Sequence, residues 1–129
     1  MTNPFRDQEK FMKACDQSVT GDTAQFDMYV KLIAEEHKEL LEALAAGDEV
    51  ETLDALIDIL VVTIGAIHSM GADGEGGWKE VMRTNFAKID KDTGKVRKRD
   101  DGKVLKPLGW TPPDLTSHLT KGDPYLQTK

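Results

Sequence analysis

Apolar residues recur at helical spacing in four stretches of the chain, and glycine and aspartate residues separate these stretches. The spacing predicts helices over residues 5–18, 24–46, 50–70 and 78–89. Gly47 and Asp48 between the second and third stretches are typical of a helix C-cap followed by the N-cap of the next helix. The pattern therefore predicts an all-α fold, a bundle of four to five helices.

Each predicted helix has an apolar set that we expect to face inward. In the first helix the set is Phe11, Met12 and Cys15. In the second helix it is Leu32, Ile33, Leu40, Leu41 and Leu44. In the fourth helix it is Trp78, Val81, Met82, Phe86 and Ile89. The third helix differs, because residues 59–67 are apolar nearly all round. Such a segment needs cover on every side, and we expect a second subunit to provide part of it.

Beyond residue 90 the helical periodicity ends, and turn residues alternate with basic side chains. We predict a single domain over residues 1–129, with a core at 5–90, a wrapping tail at 91–115 and a weakly ordered end at 116–129. The Asp101-Gly102 pair between two valine-containing arms predicts a short hairpin in this basic tail.

Composition narrows the classes of protein to consider. The 129 residues are 39% hydrophobic and 31% charged, which suits one compact domain. The net charge of -6 argues against binding to a nucleic acid polymer, which needs a basic surface. No apolar run of about 18 residues is present to span a membrane, and the N-terminus lacks a secretory pattern. With a single cysteine, Cys15, the expected location is cytoplasmic.

Carboxylates lie on helix faces that should be buried. Glu36 lies between Leu32 and Leu40 at four-residue spacing, and Asp54 and Asp58 share a face of the next helix. An isolated ionised carboxylate in such a place costs several kcal/mol or becomes protonated. We therefore expect a positive group among them.

Lysine, histidine-bound iron and a divalent cation are the positive groups that could meet this need. Lys31 and Lys38 are too few, and none of the three histidines completes the Glu-x-x-His motif of a di-iron bundle. Residues 90–101 superficially resemble a calcium loop, but Gly94 occupies a ligand position and Asp101 replaces the final glutamate. Carboxylate oxygens alone favour Mg²⁺, with Mn²⁺ as a substitute. A solvated acidic face remains the alternative.

Four segments together resemble a known family. They are EEHKE at residues 35–39, DILVVTIGAIHSMG at residues 58–71, and RTNFAKID with DGKVLKPLGWTPPDL near the C-terminus. In this order they resemble the MazG-like and phosphoribosyl-ATP-pyrophosphohydrolase-like all-α nucleoside triphosphate pyrophosphohydrolases, over roughly residues 11–115. The resemblance implies a Mg²⁺-dependent cleavage of an NTP or dNTP to the monophosphate and pyrophosphate, in a helical homodimer or homotetramer.

The resemblance also assigns the acidic residues. Glu36 and Glu39 match metal ligands of the first motif, and Glu35 matches a position that orients water. The second family motif is Glu-x-x-Asp, and Glu51 with Asp54 fits its letters. However, the DILVVTIGA segment aligns Asp58 with the family aspartate, so we take Asp58 as a ligand and Asp54 as the substitute for the missing glutamate.

Other residues complete the expected site. A triphosphate needs its charge neutralised and its attacking water deprotonated, and Glu35 or Glu36 is the candidate base. Expected phosphate-binding residues, matched through the resemblance, are Asn85, Lys88, Arg83, Lys103 and Lys106. Phe11 and Gln17 could stack on and hydrogen-bond a nucleobase, although a core face is the alternative. The basic residues 91–99 are expected to be solvated charge.

Two functions of different classes stay open at this point. The first is an enzyme of nucleotide-pool control that hydrolyses (d)NTPs. The second is a non-enzymatic helical module whose acidic patch binds cations or a partner protein.

Overall fold

The computed structural model describes residues 3–121 and is helical. Within these residues the helices are α1 Pro4–Ala14, α2 Thr23–Ala46, α3 Glu49–Ser69 and α4 Gly74–Phe86, with a 3₁₀ helix at Thr116–His118. The described residues divide into two compact units, one of residues 3–74 with 118–121 and one of residues 75–117. The predicted all-α class is confirmed.

Caps fix the ends of α2 and α3. The Asp22 side chain accepts a hydrogen bond from the Gln25 backbone N–H at 3.0 Å, which opens α2. Gly47 ends α2 with φ of 66°, a left-handed conformation that glycine adopts without penalty. Asp48 then accepts from the Glu51 N–H at 3.0 Å and opens α3. The sequence predicted both caps, and the two helices pack along each other.

The first unit has its core where α1, α2 and α3 meet. Buried Met12, Tyr29, Val62 and Ala66 form this core, and partly buried apolar residues surround it: Val19, Phe26, Leu32 and Ile33. Burying a large apolar side chain contributes about 1.5–3 kcal/mol. This packing, rather than helix propensity, fixes how α2 lies on α3.

The first helix is shorter than its apolar pattern predicts. It ends at Ala14 because Cys15 leaves the helical conformation and Asp16 has φ of 58°. Met12 is fully buried, as expected. The prediction that Phe11 and Cys15 face inward is wrong, since Phe11 is 63% exposed and Cys15 is exposed.

The fourth helix begins four residues and ends three residues earlier than predicted. It begins at Gly74, where a Cβ would lie 2.7 Å from the ring of Phe5, so the close approach requires glycine. The helix ends at Phe86 rather than residue 89. Trp78 and Phe86 are each 60% exposed, so their predicted burial is wrong within this chain.

In the second unit, the tail folds back along α4. The Trp110 indole N–H donates to the Thr84 carbonyl at 2.7 Å, and the Asp114 N–H donates to Glu80 Oε2 at 2.8 Å. Antiparallel bridges join Ile89 to Val96 and Lys98 to Val104. The second bridge flanks the turn at Gly102, which has φ of 87°, so the predicted hairpin is present.

Residues 118–121 return to the first unit. The Asp73 N–H donates to the His118 carbonyl at 2.9 Å, and the Lys121 ammonium donates to Glu9 at 3.2 Å and to the Val19 carbonyl at 3.0 Å. The rest of the predicted weakly ordered end, residues 122–129, lies outside the described residues. Over residues 3–121, every helix is too short or too polar to cross a lipid bilayer.

Candidate active site

The acidic residues of the first unit are displayed by two helices that the core holds together. Glu36 on α2 and Asp58 on α3 are half-buried, whereas Glu39 and Asp54, one turn away from each, are exposed. Leu32 and Ile33, just before Glu36, pack against the core, and so does Val62, one turn after Asp58. The same packing that buries these apolar residues therefore fixes the carboxylates on the helix surfaces.

Glu36 is the most perturbed of these carboxyl groups. Burial, a hydrogen bond that its protonated form donates to Glu39, and repulsion from Glu39, Asp58 and Asp54 raise its pKa to about 7. Its Oε2 is buried and has no hydrogen-bond partner among the described residues. A buried polar atom without a partner costs free energy. A ligand that contacts the Glu36 Oε2 would remove this cost.

The pKa of Asp58, on the facing helix α3, is raised as well. Burial raises its pKa, and repulsion and a hydrogen bond with Asp54 add to the shift, followed by repulsion from Glu39. Two of the four predicted metal ligands, Glu36 on α2 and Asp58 on α3, are thus the ones whose charged forms are disfavoured. Perturbed carboxyl groups of this kind cluster at functional sites.

The four carboxyl groups of Glu36, Glu39, Asp54 and Asp58 are possible ligands of a metal ion. As the side chains stand, no group of three or more His, Cys, Asp or Glu residues among residues 3–121 is arranged to hold a metal ion. Carboxylates that repel one another separate when no cation lies between them. All four groups nevertheless offer oxygen atoms, which Mg²⁺ prefers, and one buried oxygen has no partner. The donor set therefore fits a hard divalent cation.

Two further acidic residues have different surroundings. Glu51 is exposed in the first turn of α3, where its backbone N–H donates to the capping Asp48. It is absent from the charges that raise the pKa of Glu36 or Asp58, whereas Asp54 contributes to both. Glu35 is exposed on α2, next to Glu36. These surroundings place Asp54 with the cluster and Glu51 outside it.

Two of the predicted basic residues meet at one aromatic ring in the second unit. The Lys88 and Lys106 ammonium groups lie 5.1 and 4.8 Å from the centroid of the Trp110 ring. Cation–π attraction to a tryptophan contributes about 0.5–1 kcal/mol at exposed sites. Lys88 also donates to Asn85 Oδ1 at 3.2 Å, one turn before it. The structure thus brings Asn85, Lys88 and Lys106 together.

The other two predicted basic residues do not join this group. The Arg83 guanidinium donates two hydrogen bonds to Glu80, at 2.8 and 3.0 Å, and this pairing raises its pKa. Glu80 also accepts from the Asp114 N–H, so the pair fastens the tail to α4. Lys103 lies on the exposed hairpin, where its backbone N–H donates to Asp101 at 3.0 Å.

The proposed base-binding residues have unequal surroundings. Phe11 is exposed on α1 and its ring is available to a ligand. Gln17 is half-buried, and its side-chain oxygen accepts a hydrogen bond of 2.5 Å from the Tyr29 hydroxyl. Tyr29 is a core residue, so this hydrogen bond gives Gln17 a structural contact in addition to its predicted role.

Sequence reasoning missed the contribution of two residues. Trp110 lies in the tail segment DGKVLKPLGWTPPDL, where its ring anchors the tail and also contacts two lysines, a contact that the sequence did not predict. Arg97 was grouped with solvated charge, yet it lines a cavity together with Lys88 and Lys106. The sequence signal that could have indicated the position of Arg97 is the hairpin predicted at Asp101-Gly102. This hairpin turns the chain back and pairs Arg97 with Leu105.

Most of the chain matches a known protein family. The family model for phosphoribosyl-ATP pyrophosphohydrolase matches residues 8–85, which is more than half of the chain and includes both acidic helices. A comparison with curated proteins found no match. The matched family has a pyrophosphohydrolase-type activity and agrees with the resemblance inferred from the sequence motifs. With its all-α fold, the chain belongs to the phosphoribosyl-ATP pyrophosphohydrolase family.

Proposed function

We propose that this chain is a Mg²⁺-dependent nucleoside triphosphate pyrophosphohydrolase that cleaves an NTP or dNTP to the monophosphate and pyrophosphate. The observation that carries the proposal is the pairing of Glu36 and Asp58, on facing helices, as carboxyl groups with raised pKa values. Family membership supports a pyrophosphohydrolase-type reaction. Control of the nucleotide pool in the cytoplasm is the expected role.

Glu36, Glu39, Asp54 and Asp58 would hold the metal ion, with Mn²⁺ as a substitute for Mg²⁺. When bound, a divalent cation neutralises phosphate charge and lowers the pKa of an attacking water. The partnerless Oε2 of Glu36 supports this assignment, because a cation would satisfy it. The mutual repulsion that raises the pKa of Glu36 would also be relieved.

Residues of the site also act on the attacking water and on the substrate. Glu35 or Glu36 accepts a proton as the water oxygen bonds to phosphorus. The anhydride bond between the α- and β-phosphorus atoms breaks, and pyrophosphate leaves. We propose that Asn85 and Lys88 bind phosphate oxygens, joined by Arg83, Lys103 and Lys106. Phe11 and Gln17 are the proposed contacts of the nucleobase.

A homo-oligomer, either a dimer or a tetramer, is part of the proposal. Several large apolar residues of α2 and α3 are exposed in the single chain, among them Leu44, Leu53 and Leu60 at 56%, 62% and 57%. Large apolar residues exposed on neighbouring helices are typical of interaction sites. A second copy of the chain would cover it.

The test is pyrophosphate release from a panel of NTPs, dNTPs and phosphoribosyl-ATP, measured with and without Mg²⁺. We expect release from at least one NTP or dNTP that depends on Mg²⁺. Release from phosphoribosyl-ATP alone would overturn the proposed substrate class. Absence of release from every compound would favour the non-enzymatic helical module.

A further inference from the structure

A small cavity in the second unit has three cationic side chains in its lining. Its volume is about 200 Å³, and its lining residues are Lys88, Ile89, Asp90, Arg97, Leu105, Lys106 and Pro107. Pockets for whole drug-sized ligands are larger, roughly 300–1,000 Å³. The cavity therefore suits a small group or one end of a larger ligand.

Positive charges outnumber negative ones in the lining of the cavity. Lys88, Arg97 and Lys106 supply three positive charges, and none of them forms an ion pair within residues 3–121. Asp90 is the one acidic residue of the lining, and its Oδ1 already accepts from the backbone N–H groups of Asp92 and Thr93. Like charges at close range repel one another, so an anion in the cavity would stabilise this arrangement.

Structural contacts hold the cations in place. Both lysine ammonium groups lie over Trp110, which is itself anchored on the buried Thr84. The backbone of Arg97 is fixed by the hairpin, where the Leu105 N–H donates to the Arg97 carbonyl at 2.7 Å. These contacts reduce the entropy that would otherwise be lost when an anion binds.

We propose that this cavity binds an oligophosphate, with Arg97 as its third cationic ligand beside Lys88 and Lys106. The planar guanidinium can donate two parallel hydrogen bonds to phosphate oxygens. Two linked phosphates present enough negative charge for three cations, so the ligand class is pyrophosphate or the terminal phosphates of a nucleotide. The inference rests on the proposed function for the identity of the anion. It adds Arg97 to the phosphate-binding residues that the family resemblance implied.

The experiment is calorimetric titration of the metal-free full chain with inorganic pyrophosphate. Wild-type protein should bind pyrophosphate, and Arg97→Gln should bind it about tenfold more weakly, because it loses a charged hydrogen-bonding group. Arg97→Lys should fall between them. Lys95→Gln is the matched control, since it removes one charge from the same segment outside the cavity lining, and its affinity should equal that of wild type.

Two results would overturn the proposal. One is the absence of pyrophosphate binding by the wild-type chain. The other is an equal loss of affinity in Arg97→Gln and Lys95→Gln, which would reduce the effect to net charge. Because no metal and no turnover are involved, failure here is distinct from failure of the hydrolase proposal, which the (d)NTP panel tests. Circular dichroism of each variant verifies that the fold is retained.

Discussion

The ring of Tyr29 on α2 lies against the backbone of Gly65 on α3, so close that a Cβ at position 65 would be 2.6 Å from ring carbon Cδ1. Both residues are buried, and Tyr29 belongs to the core of the first unit. Glycine at position 65 therefore determines how closely the two acidic helices approach each other. Because Glu36 and Asp58 lie on these helices, the contact also supports the candidate site.

Gly65→Ala should destabilise the protein by about 1–3 kcal/mol, because the added methyl group overpacks the core. Thermal unfolding followed by circular dichroism measures the change. Gly77→Ala in α4 is the control, since a Cβ there would meet only Leu115 at an ordinary 3.7 Å. It should be neutral or slightly stabilising because alanine favours helices. Equal stability of the Gly65→Ala variant and wild type would show that the helices can separate freely.

Glu36 makes the stability of the metal-free protein depend on pH. Its pKa is 4.5 as a free side chain and about 7 in the folded chain. Between these values the folded state binds more protons than the unfolded state, so stability falls as pH rises through this range. Glu36→Gln should remove this loss and be the more stable protein at pH 8, by on the order of 1 kcal/mol after solvent screening.

Urea unfolding in the presence of a chelator, at pH 5 and pH 8, measures this effect. Glu35→Gln removes one charge from an exposed position of the same helix and controls for net charge. If wild type and Glu36→Gln lose the same free energy of unfolding between the two pH values, then Glu36 is not the group responsible.

The exposed apolar residues of α2 and α3 predict a homo-oligomer. Light scattering at micromolar concentration should give the mass of a dimer or tetramer, and Leu60→Glu should shift it toward the monomer by placing a charge in the contact. Leu108→Glu is the control, because Leu108 is a fully exposed leucine in the second unit. A monomeric wild-type chain would contradict this prediction.

The sequence predicted α2 and α3 to within one residue at each end, because polar caps and Gly47 mark their ends locally. It failed where distant contacts decide. The glycine-rich start of α4 is explained by Phe5, far away in the chain. The acidic residues were predictable because they interrupt an apolar face. The predicted hairpin indicated that the chain turns back, but not that Arg97 would lie beside Lys88 and Lys106.

Asp54 tests the register of the second acidic motif. It contributes to the raised pKa values of both Glu36 and Asp58, which supports its role as a substitute for the missing family glutamate. Asp54→Asn should therefore raise the Mg²⁺ concentration needed for half-maximal rate, by about 10- to 100-fold, the loss typical of residues that support a metal site. Initial rates across a Mg²⁺ titration measure the shift. An unchanged midpoint would remove Asp54 from the site.

The central claim is that carboxylates of facing helices form a metal-dependent hydrolytic site, and Asp58→Asn tests it most directly. The amide keeps the shape of the side chain and loses the charge that would bind a cation. With the best substrate of the panel at saturating Mg²⁺, pyrophosphate release should fall at least about a hundredfold, while the circular dichroism spectrum stays that of wild type. Glu51→Gln, outside the cluster, should retain nearly full activity. Loss of activity in Glu51→Gln together with full activity in Asp58→Asn would contradict the account and assign the site to Glu51 and Asp54.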